Sequence, residues 1–287
     1  MKKTFIIHLF FCVLFFNQIR AEETVINDVT YNLNLSTQTA EITAWSEIHP
    51  SQVIIPESVE HDGILYTITS IGDQAFQGHI NMQSVFMPNT ITSIGFASFR
   101  DCITLNNIKF SDNLVSIGSY AFYFCRDLLT ISLPRNVQYI GDNAFNSCVG
   151  LKSIRIPESL TQINEGTFSG CGSLTSIEFH NQLEYIGGSA FNGCFSLREI
   201  VVPNSVTTIG GGAFNGCSSL VSILLPNQLT SIADDMFHGC TDLKHISIPE
   251  SVTDIGWCAF SGCISIEEIT VPEGVLSISG NAFSGCI

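Results

Sequence analysis

The sequence predicts a mostly β solenoid of about ten coils, each made of 23 residues. Three observations predict this fold class. Phenylalanine recurs every 23 residues ten times, an isoleucine stands five residues before each one, and a cysteine stands three residues after nine of them. Units of one fixed length that cannot bury an apolar face alone must stack on their neighbours. The ten phenylalanines are Phe76, Phe99, Phe122, Phe145, Phe168, Phe191, Phe214, Phe237, Phe260 and Phe283.

The unit that begins at Phe191 shows the parts of one predicted coil. Apolar and polar residues alternate toward the end of the segment 197–202, as in a short half-buried strand. Pro203 cannot donate a hydrogen bond to a ladder, so it ends that strand. A second short strand is expected at 206–209, followed by a tight bend at Gly210. The phenylalanine then lies in a turn or a single helical turn.

The first 21 residues are predicted to form a secretory signal peptide. Met1 to Lys3 carry positive charge, Phe5 to Phe16 form an apolar run, and Ala21 is a small residue directly before Glu22. This arrangement is typical of a cleaved signal, and the run is too short to span a bilayer. A membrane-anchoring helix is the weaker alternative. We therefore expect a protein that is secreted or held at the cell surface, with cleavage after Ala21.

The charge of the exported chain excludes one class of partner. The 11 Lys and Arg residues include Lys2, Lys3 and Arg20, so cleavage leaves 8 of them against 26 Asp and Glu, a net charge of −18. A chain this acidic repels phosphate backbones, and nucleic-acid binding is therefore not expected. No later stretch is long and apolar enough to insert into a membrane.

Residues 22–63 lack the repeat and are predicted to form an N-terminal β cap over the first coil of a solenoid at residues 64–287. Two hairpin signals support the cap. The first joins residues 29–35 to 40–45, and the second joins residues 53–59 to 64–68 across His61-Asp62-Gly63. At the other end the chain stops at Ile287, so we expect either a fragment or an exposed last coil.

The consensus of the coils resembles the BspA-like class of leucine-rich repeats, whose unit has 23 residues. The family's Leu-x-x-Leu-x-Leu-Pro stands here as Leu151-x-x-Ile154-x-Ile156-Pro157, and its Ile-Gly-x-x-Ala-Phe-x-x-Cys as Ile140-Gly141-x-x-Ala144-Phe145-x-x-Cys148. The resemblance covers about residues 64–287 and implies a right-handed leucine-rich-repeat solenoid with an N-terminal β-hairpin cap. This sequence departs from the family pattern at single positions. Asn164, Ala233 and Ser279 replace the glycine that follows the isoleucine, and Ser111 and His180 replace the proline that follows the strand.

The same resemblance implies a concave strand face, on which positions 7, 8 and 10 after each phenylalanine are exposed. Five basic and four acidic residues fall on these positions. The net charge of this face is therefore about +1, and the net charge of the rest of the exported chain is −19. Binding patches often mix basic and apolar residues. Chance and the β-propensity of strand positions explain the same pattern without a function. The predicted partner-contact residues are Lys109, Lys152, Arg155, Arg198, Lys244, Phe86, Leu129, Val201 and Leu224.

Nine cysteines, from Cys102 to Cys286, occupy one position of the coil. We predict a buried column of packed thiols, because parallel Cβ vectors suit the torsion of a disulfide poorly. Disulfides, which secreted chains usually form, are the alternative. A metal site is not expected, because ligands in a straight row do not make a tetrahedron. Cys258 lies off the column beside Trp257, and either pairs with a partner or stays free.

The sequence shows none of the patterns that carry catalysis, and neither an enzyme nor a cofactor is expected. The resemblance implies protein–protein interaction or adhesion to host matrix proteins through the concave face, because characterised members of the family are surface adhesins. Lys152, Arg155 and Arg198 are expected on the same or adjacent coils of that face. Two alternatives stay open: a glycan-binding accessory module, which the single strand-face aromatic Phe86 supports poorly, and a structural surface element without a discrete ligand.

Overall fold

The computed structural model describes residues 21–45 and 51–286, so the predicted signal peptide lies outside the described residues except for Ala21. The chain begins with three strands, β1 (Ala21–Ile26), β2 (Val29–Asn34) and β3 (Thr39–Trp45). Both neighbouring pairs are antiparallel. The hairpin predicted between residues 29–35 and 40–45 is therefore confirmed.

The second predicted hairpin is present, but it is shorter than expected. The next strands are β4 (Gln52–Ile54), β5 (Ser58–His61) and β6 (Ile64–Ile71), and β5 pairs antiparallel with β6 across Asp62-Gly63. The assignment of residues 53–54 to a hairpin arm was wrong. β4 instead pairs in parallel with β7 (Ser84–Phe86), the first strand of the next coil. The solenoid ladder thus already contains a strand within the region predicted as cap.

Each later coil contributes up to two short parallel strands, one about nine residues after its phenylalanine and one about eighteen residues after it. Neighbouring coils pair with a shift of 23 residues, as Ile154 pairs with Ile177. The strands after β7 are β8 (Ser93–Ile94), β9 (Asn107–Lys109), β10 (Ser116–Ile117), β11 (Tyr139–Ile140), β12 (Ser153–Arg155), β13 (Gln162–Ile163), β14 (Ser176–Glu178), β15 (Tyr185–Ile186), β16 (Glu199–Val201), β17 (Thr208–Ile209), β18 (Ser222–Leu224), β19 (Ser231–Ile232), β20 (His245–Ile246), β21 (Asp254–Ile255) and β22 (Ser277–Ile278).

The two sets of strands form two ladders along the solenoid. The first ladder runs in three segments, β4-β7-β9, β12-β14 and β16-β18-β20. The second runs as β6-β8-β10-β11, β13-β15-β17 and β19-β21-β22, and the antiparallel sheet β1-β2-β3 joins it through a parallel pairing of β3 with β6. This architecture confirms the predicted mostly β solenoid of 23-residue coils.

A continuous column of phenylalanine rings fills the core. Successive ring centroids lie 4.9–5.9 Å apart and their planes differ by 2–19°. Nine of the ten rings are fully buried and Phe283 is half-buried. Trp45 of β3 continues the column at 5.4 Å from the ring of Phe76. The predicted inward orientation of the phenylalanines is therefore confirmed.

The turn around each phenylalanine contains left-handed residues and forms hydrogen bonds to the next coil. Gly212 and Gly216, two residues before and two residues after Phe214, have φ of 62° and 70°. The N–H groups of Gly212, Phe214 and Gly216 donate to carbonyl oxygens of the following coil at 2.8, 3.0 and 2.7 Å. The turn thus adds a third set of hydrogen bonds between coils, where a helical turn would have bonded only within itself.

The glycine that follows the isoleucine in most coils has a different role from the predicted one. Gly118 does not lie in the left-handed region, but a Cβ atom on it would come within 2.6 Å of the backbone carbon of Gly95 in the preceding coil. This glycine therefore permits close approach of two backbones, and the explanation by a tight bend was wrong. Where Asn164 replaces it, the Asn164 Nδ2 donates to the carbonyl oxygen of Ile140 at 2.6 Å.

The two kinds of glycine should respond differently to a methyl group. Gly118→Ala is expected to lower the free energy of unfolding by about 2–3 kcal/mol, because the two coils must move apart. Ala233 occupies this position in another coil, so the variant should still fold. Gly193→Ala should cost only about 1 kcal/mol, since its φ is 70° but its Cβ would lie 3.8 Å from the nearest atoms. Urea unfolding of both variants measures the difference, and a larger loss at Gly193 would contradict this explanation.

Candidate functional site

The strand face, defined as positions 7, 8 and 10 after each phenylalanine, carries all nine predicted contact residues. Eight of them are exposed, and Leu129, Val201 and Leu224 expose 47%, 65% and 59% of their surface. The aromatic residue Phe86 is only half-buried. Because neighbouring strands of the first ladder are in register, residues at one position of the coil form rows along the solenoid.

These rows differ in chemistry from one segment of the ladder to the next. Phe86 pairs in register with Lys109, and Val201 pairs with Leu224 to form an exposed apolar pair. In the segment between them, Arg155 Nε lies 3.7 Å from Glu178 Oε2, and both side chains are more than two-thirds exposed. An ion pair this exposed contributes little to stability. Arg155 is therefore free to exchange Glu178 for a carboxylate of a partner.

Lys152, Arg155 and Arg198 are more widely spaced than predicted. Lys152 and Arg155 belong to the coil of Phe145, and Arg198 belongs to the coil of Phe191. The coil of Phe168, which carries Glu178, lies between them, so the expectation of adjacent coils was wrong. The reason is the 23-residue period itself, which spans 46 residues between these two coils. The basic residues of the strand face therefore form separate groups, and Glu178 lies between the group of Lys152 and Arg155 and the residue Arg198.

Of the three open grooves that the described residues form at the strand face, two lie toward its edge, and both carry charges of opposite sign. The first has a volume of about 710 Å³, and its lining includes Arg135, Arg155, Glu178, Phe179 and His180. The second has a volume of about 420 Å³. Its charged lining residues are Lys244, Glu250, Glu267 and Glu268. Such mixed linings suit a polar peptide surface better than a ligand of one sign.

A second group of six surface residues, two of them exposed and four half-buried, was missed by the sequence analysis. We call it the turn cluster, and it lies on the turns of the coils of Phe99 and Phe122. Ring centroids of neighbouring aromatic residues within it are 4.9–5.7 Å apart. Two guanidinium carbons lie over rings, Arg100 at 5.2 Å from Tyr123 and Arg126 at 4.7 Å from Phe124. The turn cluster consists of Phe96, Arg100, Tyr120, Tyr123, Phe124 and Arg126.

A break in the consensus could have revealed the turn cluster. At the second position after the phenylalanine, seven of the ten coils have glycine, and all ten have positive φ. Phe124 occupies this position with φ of 63°. A left-handed backbone costs a residue other than glycine about 1–2 kcal/mol. The sequence shows the exception, but the backbone conformation that makes it costly is visible only in the structure.

The cysteine column is buried and hydrogen-bonded. In nine coils the Sγ donates to the carbonyl oxygen of the phenylalanine one coil earlier, at 3.1–3.3 Å. All cysteines of the described residues are free thiols, so the packed-thiol prediction is confirmed there. Burial raises the pKa of the Cys171 and Cys217 thiols to about 12. Cys258 is also a buried free thiol.

Neither a metal cluster nor a membrane-spanning element is found in the described part of the chain. Within residues 21–45 and 51–286, no three His, Cys, Asp or Glu side chains are grouped so that they could hold a metal ion. The same residues contain no helix with the length and apolar character needed to cross a bilayer. The candidate sites are therefore the strand face and the turn cluster, both of which are open surfaces.

Comparison with protein families gives one match that covers most of the chain. A family model described as a BspA-type leucine-rich repeat region, present in 6 copies, matches residues 57–175 and 161–287. No curated protein sequence matches the chain. The family match covers both ladders and the turns of the coils, together with the strand-face residues.

Solved structures give the same fold. A leucine-rich cell surface protein from Faecalibacterium prausnitzii A2-165 is 26% identical with a TM-score of 0.57, and the match covers 93% of each chain. The T. pallidum leucine-rich repeat protein is 24% identical with a TM-score of 0.51, covering 86% of this chain and 92% of that one. The pneumococcal vaccine antigen PcpA is 18% identical with a TM-score of 0.55, and the match covers 91% of this chain and 85% of that one. The last two similarities support the fold alone.

Proposed function

The chain belongs to the BspA-type leucine-rich repeat family, and on this premise we propose that it is an exported surface protein whose strand face adheres to proteins of a host matrix. Members of this repeat family are non-enzymatic scaffolds that generally bind proteins. The similar protein from Faecalibacterium prausnitzii is described as a cell surface protein, which supports the same location here. The partner itself is inferred from the chemistry of the surface.

The composition of the strand face is the observation that carries this proposal. Its nine coils hold five of the eight basic residues of the exported chain, while the remainder of that chain has a net charge of about −19. Exposed apolar residues, among them Val201 and Leu224, lie in the same rows. Mixed basic and apolar patches are typical of protein interfaces. Glycan capture has less support on this face, because Phe86 is half-buried.

Three further parts of the proposal concern the organisation of the chain. Residues 1–21 would direct export, residues 22–63 would cover the first coil, and residues 64–287 would form the binding solenoid. The pairing of β3 with β6 supports the covering role, because it occupies the edge of the second ladder. The parallel pairing of β4 with β7 covers the edge of the first ladder in the same way.

Charge reversal on the strand face tests the proposed function. The variant Lys152→Glu/Arg155→Glu/Arg198→Glu is expected to bind immobilised host matrix proteins at least about tenfold more weakly, a loss of roughly 1.4 kcal/mol. Binding should also weaken with salt, because exposed charges are screened over about 8–10 Å. All three side chains are exposed, so the stability should change by no more than about 0.5 kcal/mol per substitution. Surface plasmon resonance and thermal unfolding measure the two effects.

The matched control reverses an exposed charge on the turns, Asp142→Lys. Asp234 is unsuitable for this purpose, because its Oδ1 accepts a hydrogen bond from the backbone N–H of Trp257 at 2.6 Å. The control should bind matrix proteins as the unchanged protein does. An equal loss in both variants, or no loss in either, would contradict the strand face as the binding surface.

A further inference from the structure

We propose that the turn cluster is a second protein-docking surface, which binds an acidic segment of a partner polypeptide through Arg126 and the surrounding aromatic rings. This proposal shares with the proposed function the premise that the chain binds proteins, but it uses residues on the turns of the coils instead of residues on their strands. The strand face lies on strands of the first ladder, whereas the turn cluster lies on the turns of the coils of Phe99 and Phe122.

Backbone strain is the first observation that carries the proposal. Phe124 has φ of 63°, a conformation that all ten coils adopt at this position and that Asp101 and Ser147 also take without glycine. Among these residues the aromatic Phe124 is the bulkiest, and a bulky residue with positive φ is the costliest choice. Seven other coils place glycine where Phe124 stands, so the fold itself is satisfied without an aromatic ring. The fold therefore does not require the ring of Phe124 at this position.

The arrangement of the side chains is the second observation. The guanidinium of Arg126 lies 4.7 Å from the centroid of the Phe124 ring, and that of Arg100 lies 5.2 Å from the Tyr123 ring. Stacking on a ring holds the planar guanidinium in one orientation, with its N–H edge free to bind a carboxylate with two hydrogen bonds. The structure thus offers preorganised donors beside an exposed apolar surface.

The charges around the cluster indicate which guanidinium is available. Arg100 is already engaged, because its Nε lies 3.3 Å from Asp101 Oδ2. Within residues 21–45 and 51–286, the ion pairs found do not include Arg126, and this residue is exposed. Cations are few in a chain of this acidity. Asp127 follows Arg126 in the chain but forms no ion pair with it, so a carboxylate from a partner would supply the contact that Arg126 does not make.

The aromatic rings favour a polypeptide partner over a glycan. A sugar binds an aromatic platform through an open ring face, and the rings of Tyr123 and Phe124 each have a guanidinium over one face. Tyr123 also packs against Phe124, with centroids 4.9 Å apart. Clusters of Tyr and Arg are enriched at the energetic centres of protein interfaces. The remaining open surface, which includes the ring of Phe96 at 41% exposure, suits apolar side chains next to the acidic one.

The repeat itself supplies a variant that tests the proposal without breaking the fold. In Tyr123→Asn/Phe124→Gly/Arg126→Ser, each residue is replaced by one that stands at the same position in another coil, namely Asn192, Gly193 and Ser218. Glycine also relieves the positive φ. We therefore expect cooperative thermal unfolding with a midpoint within about 4 °C of that of the unchanged protein.

The probe is a phage-displayed random peptide library, selected on the immobilised full chain. Selection should enrich peptides that combine Asp or Glu with aliphatic or aromatic residues. Synthetic versions of these peptides should bind the consensus variant at least about tenfold more weakly, and Arg126→Gln should cause a similar loss with unchanged unfolding. Replacing the acidic residues of the peptide by Asn or Gln should weaken its binding to the unchanged protein equally.

The strand-face variant Lys152→Glu/Arg155→Glu/Arg198→Glu serves as the control and should bind these peptides normally. If this variant binds the peptides but no longer binds matrix proteins, the two binding activities lie on different surfaces, and each proposal can then be tested separately. The proposal is overturned if the library gives no enriched sequence, if the peptides lack acidic residues, or if the consensus variant binds them unchanged. A panel of neutral and mucin-type glycans is assayed in parallel, and glycan binding that the consensus variant loses would replace the acidic peptide as the ligand.

Discussion

Phe168→Ala is expected to lower the free energy of unfolding by about 3–5 kcal/mol, because it opens a cavity between two neighbouring coils. The Phe168 ring is fully buried between the rings of Phe145 and Phe191, each with its centroid 5.7 Å away. Removal of the ring takes away both stacking contacts and leaves space that the hydrogen-bonded turns prevent from closing. Urea unfolding followed by circular dichroism gives the change.

The control for this prediction is the last ring of the column. Phe283 is half-buried and stacks on Phe260 at 5.3 Å. Phe283→Ala should therefore cost less than half as much as Phe168→Ala, since the cost of truncation follows the surface that was buried. Equal costs at the two positions would indicate that the column does not behave as a stack of local contacts.

The cysteine column should make the protein sensitive to alkaline pH. Burial raises the pKa of Cys102, Cys171, Cys217 and Cys263 from 9.0 to about 12, and raises the pKa of the other buried column thiols as well. Above pH 9 the unfolded chain loses these protons while the folded chain keeps them. The stabilising contribution is therefore complete below pH 9 and is lost as the pH rises toward 12.

The size of this effect follows from the number of thiols. Each shifted thiol changes the free energy of unfolding by about 1.4 kcal/mol per pH unit in this window, so the eight buried thiols lower it by on the order of 10 kcal/mol per unit. This loss per pH unit is comparable to the total free energy of unfolding of a typical domain. A steep unfolding transition is expected between about pH 9 and 11, measured by circular dichroism.

Replacing half of the column separates the thiols from other groups that titrate in the same range. With Cys148, Cys171, Cys194 and Cys217 changed to Ala, the free energy of unfolding should fall about half as steeply with pH.

Thiol labelling provides a second measurement. At pH 8 the column thiols of the folded protein should react far more slowly than those of the unfolded chain, because few are thiolates and none of the eight is exposed. Fast labelling of the folded protein, or an unchanged alkaline transition in the Ala variant, would refute this explanation.

The sequence predicted the features that repeat in all or nearly all of the coils. Isoleucine, phenylalanine and cysteine recur at fixed positions, so the side chains that point inward and the absence of disulfides among the described cysteines followed from the period alone. The strand face was also located correctly, because parallel strands in register place equivalent residues in rows. Exposed positions such as those of Arg155 and Val201, each next to a buried isoleucine, follow from the alternation of side chains along a strand.

The features that the sequence left hidden depend on backbone geometry. The strand β4 was assigned to a hairpin because the insertion after it interrupts the 23-residue count, although Val53 takes a buried ladder position like that of Val85. The turn cluster was missed because Tyr123 and Phe124 resemble ordinary apolar residues until the positive φ at Phe124 is known. The sequence alone does not show whether Gly118 forms a bend or permits two backbones to approach closely. The position of Gly95 in the preceding coil decides between these two roles.

The register of 23 residues between coils has a genetic consequence. The strand pairs and stacked rings of the 23-residue coils join equivalent positions of neighbouring units, and each column thiol donates to the same carbonyl of the preceding unit. Duplication or loss of one whole unit, at any boundary between coils, would therefore recreate the same interface that it removed. Unequal recombination between the similar repeats could lengthen or shorten the molecule in steps of one coil while each product remains foldable. A unit gained or lost between the turn cluster and Lys152 would change the distance from the turn cluster to the group Lys152, Arg155 and Arg198, without altering either group of residues.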